Sequence, residues 1–104
     1  MIDFITIGEN KYYISFGINA LRLFSIENNL NLEEMDNMTE EIDFQKTISL
    51  IHIGFREGHR KMKLKFELNI DELSDLLDED PSAIKKAMEI FEQHVSIFTK
   101  DNNR

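Results

Sequence analysis

Along this chain, apolar residues recur at helical spacing over most of the length and at strand-like spacing in short stretches, and the shifts mark the elements. The longest helical signal lies in 40–61, where Phe44, Ile48, Ile51 and Phe55 fall at i, i+4, i+7 and i+11. Leu50 and Ile53 widen this stripe until most of 48–55 is apolar, the mark of a helix buried on several sides. It is expected to be a central helix over 40–60, with every other element packed round it. Thr39 is its expected N-cap, with Glu40 and Glu41 at the positive end of the dipole, and Gly58 is its expected stop.

The chain before this helix opens with two short segments, 2–7 and 11–16, rich in Ile, Phe, Thr and Tyr and separated by Gly8-Glu9-Asn10. They read as a β-hairpin that must lay one face on the helices, since a lone hairpin is marginal in water. Gly17 ends the second strand. Ile18, Leu21 and Phe24 then mark the buried side of a helix over 18–28, with Asn28-Asn29 as its stop. Asn31-Leu32-Glu33-Glu34 has the pattern of an N-cap followed by a glutamate, and predicts a short helical turn burying Leu32 and Met35.

After the central helix, Met62, Leu64, Phe66 and Leu68 alternate with charged residues at a period of two. Either a paired strand or an extended connector laid over the core gives that pattern. Asn69-Ile70-Asp71-Glu72 repeats the cap signature and opens a helix through Leu73, Leu76 and Leu77, closed by Asp78-Glu79-Asp80. Pro81 restarts a last helix to about Thr99, because proline at the first helical position loses no hydrogen bond. Ile84, Met88, Phe91, Val95 and Phe98 form its apolar seam. The seam is expected to pack on the central helix, with a partner helix as the second use.

The resulting fold class is mainly α (α+β): an N-terminal β-hairpin on a small bundle of about four helices around the central buried helix. With 104 residues, 41% of them hydrophobic, the chain fits a single domain: 1–16 hairpin, 17–99 helical body and 100–104 frayed tail. The absence of cysteine excludes disulfides, thiolate metal sites and a cysteine nucleophile. Met1-Ile2-Asp3-Phe4 lacks the basic start and apolar core of a signal peptide, and no apolar run approaches the roughly 18 residues of a membrane helix. A soluble, cytoplasmic protein is expected.

Charge sharpens this picture. The net charge of −8 argues against nucleic acid as a partner. Residues 56–65 nevertheless carry five Lys/Arg against one acid, a local +4 that leaves −12 on the rest. Residues 27–43 and 67–80 each hold seven acids and no base. Such a patch can be satisfied by its neighbours, or it can drive head-to-tail self-association or the binding of a charged partner.

Candidate chemistry is sparse. His52 and His59 lie seven apart on one side of the central helix, whereas helical metal ligands are more often three or four apart with a carboxylate nearby. A hydrogen-bonded core histidine is the commoner outcome at His52, and His94 beside Glu92 carries no pattern. Asp78-Glu79-Asp80 lacks the alternate spacing and glycine of a calcium loop. The sequence contains no nucleophile elbow and no glycine-rich phosphate loop. The expectation is a protein that is not an enzyme and uses no cofactor or metal.

Three motifs, taken in order, carry a resemblance. They are Ile5-x-x-Gly8-x-x-Lys11-Tyr12-Tyr13-Ile14-x-Phe16-Gly17-Ile18-Asn19-Ala20-Leu21-Arg22, then Ile51-His52-Ile53-Gly54-Phe55-Arg56-Glu57-Gly58-His59-Arg60-Lys61, and the stretch from Phe66-Glu67-Leu68-Asn69 to Asp80-Pro81. Together they resemble the tail assembly chaperones of long-tailed phages and prophages of Gram-positive hosts. The resemblance implies a small, mostly helical, non-catalytic protein that coats and solubilises the tape measure protein, recruits tail tube subunits, and commonly has a longer frameshifted form. The family has no catalytic motif to carry over. A chaperone for a helical client needs exposed apolar surface and high net charge. Candidate partner-binding residues are therefore Arg56, Arg60, Lys61 and Lys63 in the basic segment, and Met88, Phe91, Val95 and Phe98 on the last helix. A homo-oligomer is also compatible. The alternative is a small acidic adaptor or regulatory protein of a mobile element that binds another protein.

Overall fold

The computed structural model describes residues 1–31 and 43–99. Strands β1 (Asp3–Ile7) and β2 (Asn10–Ile14) pair antiparallel, in a register from Ile7 opposite Asn10 to Asp3 opposite Ile14. The turn is the two residues Gly8-Glu9. Gly8 has φ 63°, the positive value that a glycine-first hairpin turn requires. Ile5, Ile7 and Ile14 form the buried face, while Phe4 and Thr6 stay exposed and Lys11 lies 4.4 Å over the Phe4 ring.

Four helices follow among the described residues: α1 (Ile18–Glu27), α2 (Phe44–Lys61), α3 (Ile70–Glu79) and α4 (Ser82–Thr99). The fold is mainly helical, with the hairpin packed against the helices, as the apolar patterning predicts. On α2, Ile48, Leu50, Ile51, Ile53 and Phe55 are buried, and β2, α1, α3 and α4 all pack on it. Burial of that order on one element, at roughly 25 cal/mol per Å² of apolar surface, makes α2 the organising centre.

Several expectations are corrected in detail. The helix starts later than residue 40: Asp43 is the N-cap, its carboxylate accepting from the Lys46 amide at 2.8 Å. Thr39, Glu40, Glu41 and the predicted turn at Leu32 and Met35 lie outside the described residues, as does the tail 100–104. Phe44 at the first turn is 70% exposed rather than part of the stripe, and Ile18 is 64% exposed; α1 buries Phe24 as expected, half-buries Leu21, and buries Ala20 in place of Ile18.

Gly58 does not end α2. It sits inside the helix against β2, where a Cβ would run into the backbone of Tyr13 and Ile14. One turn earlier, a Cβ on Gly54 would meet the Phe16 ring, and the Gly54 carbonyl accepts from the Ser15 amide at 3.0 Å. Two glycines one turn apart thus let the strand backbone approach the helix backbone. The stop comes at Lys63, whose φ of 60° lets its amide bond the Arg60 carbonyl and the Leu64 amide bond the His59 carbonyl. These are the two bonds of a Schellman motif, with lysine in the position usually held by glycine. Asn29, at φ 52°, closes α1 in the same way at the expected place.

Of the two readings of the 62–68 alternation, the structure has the extended connector, with no ladder partner among the described residues. Phe66 turns inward and stacks on Phe55 at 5.8 Å, while Met62 and Leu64 are exposed. Asn69 and Glu72 form the expected capping box at the start of α3. Leu73 and Leu77 are buried beneath it. Asp80-Pro81 then turns the chain into α4, with the Ala83 amide bonded to the Asp80 carbonyl.

Candidate partner-binding surface

The basic segment leaves the C-terminal end of α2, where cations suit the helix dipole. Most of it is already engaged within the chain. Arg56 Nη1 contacts Glu27 Oε2 at 2.9 Å and ties α2 to α1. Arg60 grips the buried Glu57 carboxylate with Nε at 2.9 Å and Nη2 at 2.8 Å. Those bonds from Arg60 hold the Glu57 carboxyl below its ordinary range; burial opposes the shift, and Asn19 and Lys61 assist it. Lys61 Nζ donates to Ser15 Oγ at 2.9 Å, and that hydroxyl donates to the Met1 carbonyl at 2.6 Å. Lys63 and Lys65 are exposed and make no ion pair among the described residues. Of the four cations proposed for partner binding, Lys63 is therefore the one without an internal ion pair or hydrogen-bonded side chain.

The apolar candidates on α4 divide similarly. Phe91 is 1% exposed and meets Phe16 edge to face at 5.2 Å, so it is core and not surface. Met88 and Val95 are half-buried against the same core, and Phe98 is exposed. The line that faces inward is Ala83, Ala87, Phe91 and His94. It is rotated from the apolar seam because two alanines, weak in hydropathy, allow closer approach to β1 and α2 than larger residues would.

His94 is the residue the sequence reading passed over. Its ring is 2% exposed. Nδ1 lies 3.1 Å from the Phe16 amide and Nε2 lies 2.9 Å from Asp3 Oδ2. Since the amide can only donate, Nδ1 accepts and Nε2 carries the proton toward Asp3. His94 thereby joins α4 to both ends of the hairpin. Its spacing from Ala83, Ala87 and Phe91 is the one sequence signal that places it on the buried line.

His52 and His59 are structural too. His52 Nε2 is 2.8 Å from the Leu68 carbonyl and His59 Nδ1 is 2.8 Å from the Phe55 carbonyl, with the Phe66 ring against both. Among the described residues, no group of three or more His, Asp or Glu is placed to hold a metal ion, and no helix is long and apolar enough to cross a membrane. A groove of about 430 Å³ runs between β1 and α4, lined by Phe4, Ile5, Thr6, Lys86, Glu89, Ile90 and Gln93.

Comparison with protein-family models, with curated proteins and with solved structures gives no match to this chain.

Proposed function

We propose that this chain is a non-catalytic tail assembly chaperone of a phage or prophage, acting in the host cytoplasm to bind and solubilise the tape measure protein and to recruit tail tube subunits. The observation that carries the reading is the pairing of exposed apolar side chains with an acidic surface. Ile18, Ile97 and Phe98 are 64%, 50% and 37% exposed on a chain of net charge −8. Apolar patches can cover the apolar stripe of a helical client, and the surplus charge keeps the complex in solution. The ordered motifs over almost the whole chain support the same reading. Co-expression with the tape measure protein encoded near this gene is expected to move that protein into the soluble fraction as a complex. No complex and no change in solubility would count decisively against it.

A second reading has its own support. The outward face of α3 presents Asp71, Glu72, Asp75, Asp78 and Glu79, all exposed. Such a face suits an acidic adaptor that occupies a basic surface of another protein. A pull-down recovering a nucleic-acid-binding protein without tail components would favour it.

A further inference from the structure

We infer that the connector 62–68 and the outward face of α3 form one self-complementary surface, on which a second copy of this chain docks about a two-fold axis. Neither the surface nor its partner depends on the chaperone reading. The path of the chain brings the parts together. From the C-terminal end of α2 the connector runs back along that helix. The Leu64 amide bonds the His59 carbonyl, Phe66 packs on Phe55 and His59, and the Leu68 carbonyl meets His52 Nε2. α3 starts at once from there and packs on α2, with Leu73 and Leu77 in the core. Phe66 points inward, so Lys65 beside it on the extended chain points out. On α3, Asp71, Asp75 and Asp78 fall at i, i+4 and i+7, on the side opposite Leu73 and Leu77. Lys63, Lys65 and these three aspartates are all exposed. None of their side chains makes an ion pair or hydrogen bond among the described residues.

The order of the charges selects the occupant. The free lysines precede Asn69 and the free carboxylates follow it. A uniformly acidic partner would be drawn to Lys63 and Lys65 and repelled by α3, and a uniformly basic one the reverse. The surface fits a partner that carries both signs side by side, and a second copy carries them by construction. In a two-fold contact the same patch on each copy meets the other reciprocally. An axis near Asn69 and Ile70 sets the lysines of each copy against the α3 carboxylates of its partner. No internal pair has to break for this, because these groups are unengaged within the chain. Surface charge pairs contribute little by themselves. Met62, Leu64 and Ile70, exposed and interleaved with the charged groups, supply the apolar centre that such a contact needs.

The test is sedimentation velocity of the full chain over a concentration series in about 0.15 M salt. There the overall charge of −8 is screened beyond roughly 8 Å, while ion pairs at contact distance persist. A reversible monomer–dimer equilibrium is expected. Two double variants then separate the signs: Lys63→Glu with Lys65→Glu, and Asp75→Lys with Asp78→Lys. Each alone should raise the dimer dissociation constant at least about tenfold with far-UV circular dichroism unchanged, since like charges then meet across the axis. Mixed in equal amounts, the two variants regain opposite signs at both halves of the contact and should form a heterodimer at least as tight as the native dimer. If a charge reversal unfolds its variant, the neutral pairs Lys63→Gln with Lys65→Gln and Asp75→Asn with Asp78→Asn decide, each expected to weaken the dimer. A native chain that sediments as a monomer throughout would overturn the proposal. So would a dimer indifferent to these variants, or a mixture that stays monomeric. Association that grows past the dimer with concentration would also overturn it, giving the same charges to open head-to-tail stacking.

Discussion

The outer edge of β2 is sealed against α2, whereas the outer edge of β1 faces α4 across a groove. On the sealed side, Gly54 and Gly58 leave no side chain between helix and strand, and the Ser15 amide reaches the Gly54 carbonyl at 3.0 Å. On the other side, α4 presents Lys86, Glu89, Ile90 and Gln93, and His94 reaches across to the hairpin with hydrogen bonds. The strands are alike in length, five residues each. What differs is the size of the side chains on the facing helix, and that size decides whether a sheet edge is closed or left available.

The most damaging way to break this contrast is Gly58→Ala. Alanine is the better helix former by about 1 kcal/mol, so propensity alone predicts stabilisation. Its Cβ would instead meet the backbone of Tyr13 and Ile14, which cannot rotate away as a side chain could. Separating α2 from β2 also strains the Ser15–Gly54 bond. A net loss of about 2–4 kcal/mol is expected from urea denaturation. A variant as stable as the native chain would show that the two backbones are not in close contact.

The groove side breaks more gently, at His94. His94→Leu keeps the volume buried but leaves the Phe16 amide without an acceptor, at a cost of roughly 1–3 kcal/mol. Asp3→Asn should stay within about 0.5 kcal/mol, because an amide oxygen still accepts from Nε2–H and residue 3 is close to solvent. Equal losses at both positions would mean that the Asp3 hydrogen bond, as much as the Phe16 amide, holds α4 to the hairpin.

These two residues also show how far the sequence could be read. The stripe on α2 from Ile48 to Phe55, the turn at Gly8-Glu9 (with Asn10 already in β2), the Asn69 capping box and the Asp80-Pro81 junction are local chemistry, and each lies within the segment where the pattern places it. Gly58 and His94 take their roles from distant chain, a strand backbone in one case and an amide 78 residues away in the other. No local spacing encodes those partners. The exposure of Ile18 and Phe44 was likewise illegible, since an apolar residue in register says nothing about whether a neighbour reaches it. Of the candidate surface, Phe91 is core for the same reason, and Arg56, Arg60 and Lys61 are engaged by Glu27, Glu57 and Ser15, while Lys63 is left exposed.

Reading Gly58 as the stop also obscured Lys63, which holds the left-handed cap position of α2 at φ 60°. An L-residue there costs about 1–2 kcal/mol, and glycine does not. Lys63→Gly is therefore expected to stabilise the chain by about 0.5–1 kcal/mol after its greater unfolded-state entropy is subtracted. A thermal melt that moves up confirms that the sealed helix ends on a strained residue. A melt that moves down would show that the Lys63 side chain contributes more than its backbone costs.

The smallest effect is expected at Gln93, and it sharpens the contrast most cleanly. Gln93 is exposed on the wall of the groove and makes no side-chain hydrogen bond among the described residues. Gln93→Ala should leave monomer stability within about ±0.5 kcal/mol, as for surface positions generally. The matching change on the sealed side, glycine to alanine at residue 58, adds a single methyl group and is expected to cost several times more. If Gln93→Ala melts clearly lower, the long α4 side chains are supporting the hairpin and the groove wall is structural. If it melts unchanged, that wall is surface whose side chains the monomer does not need.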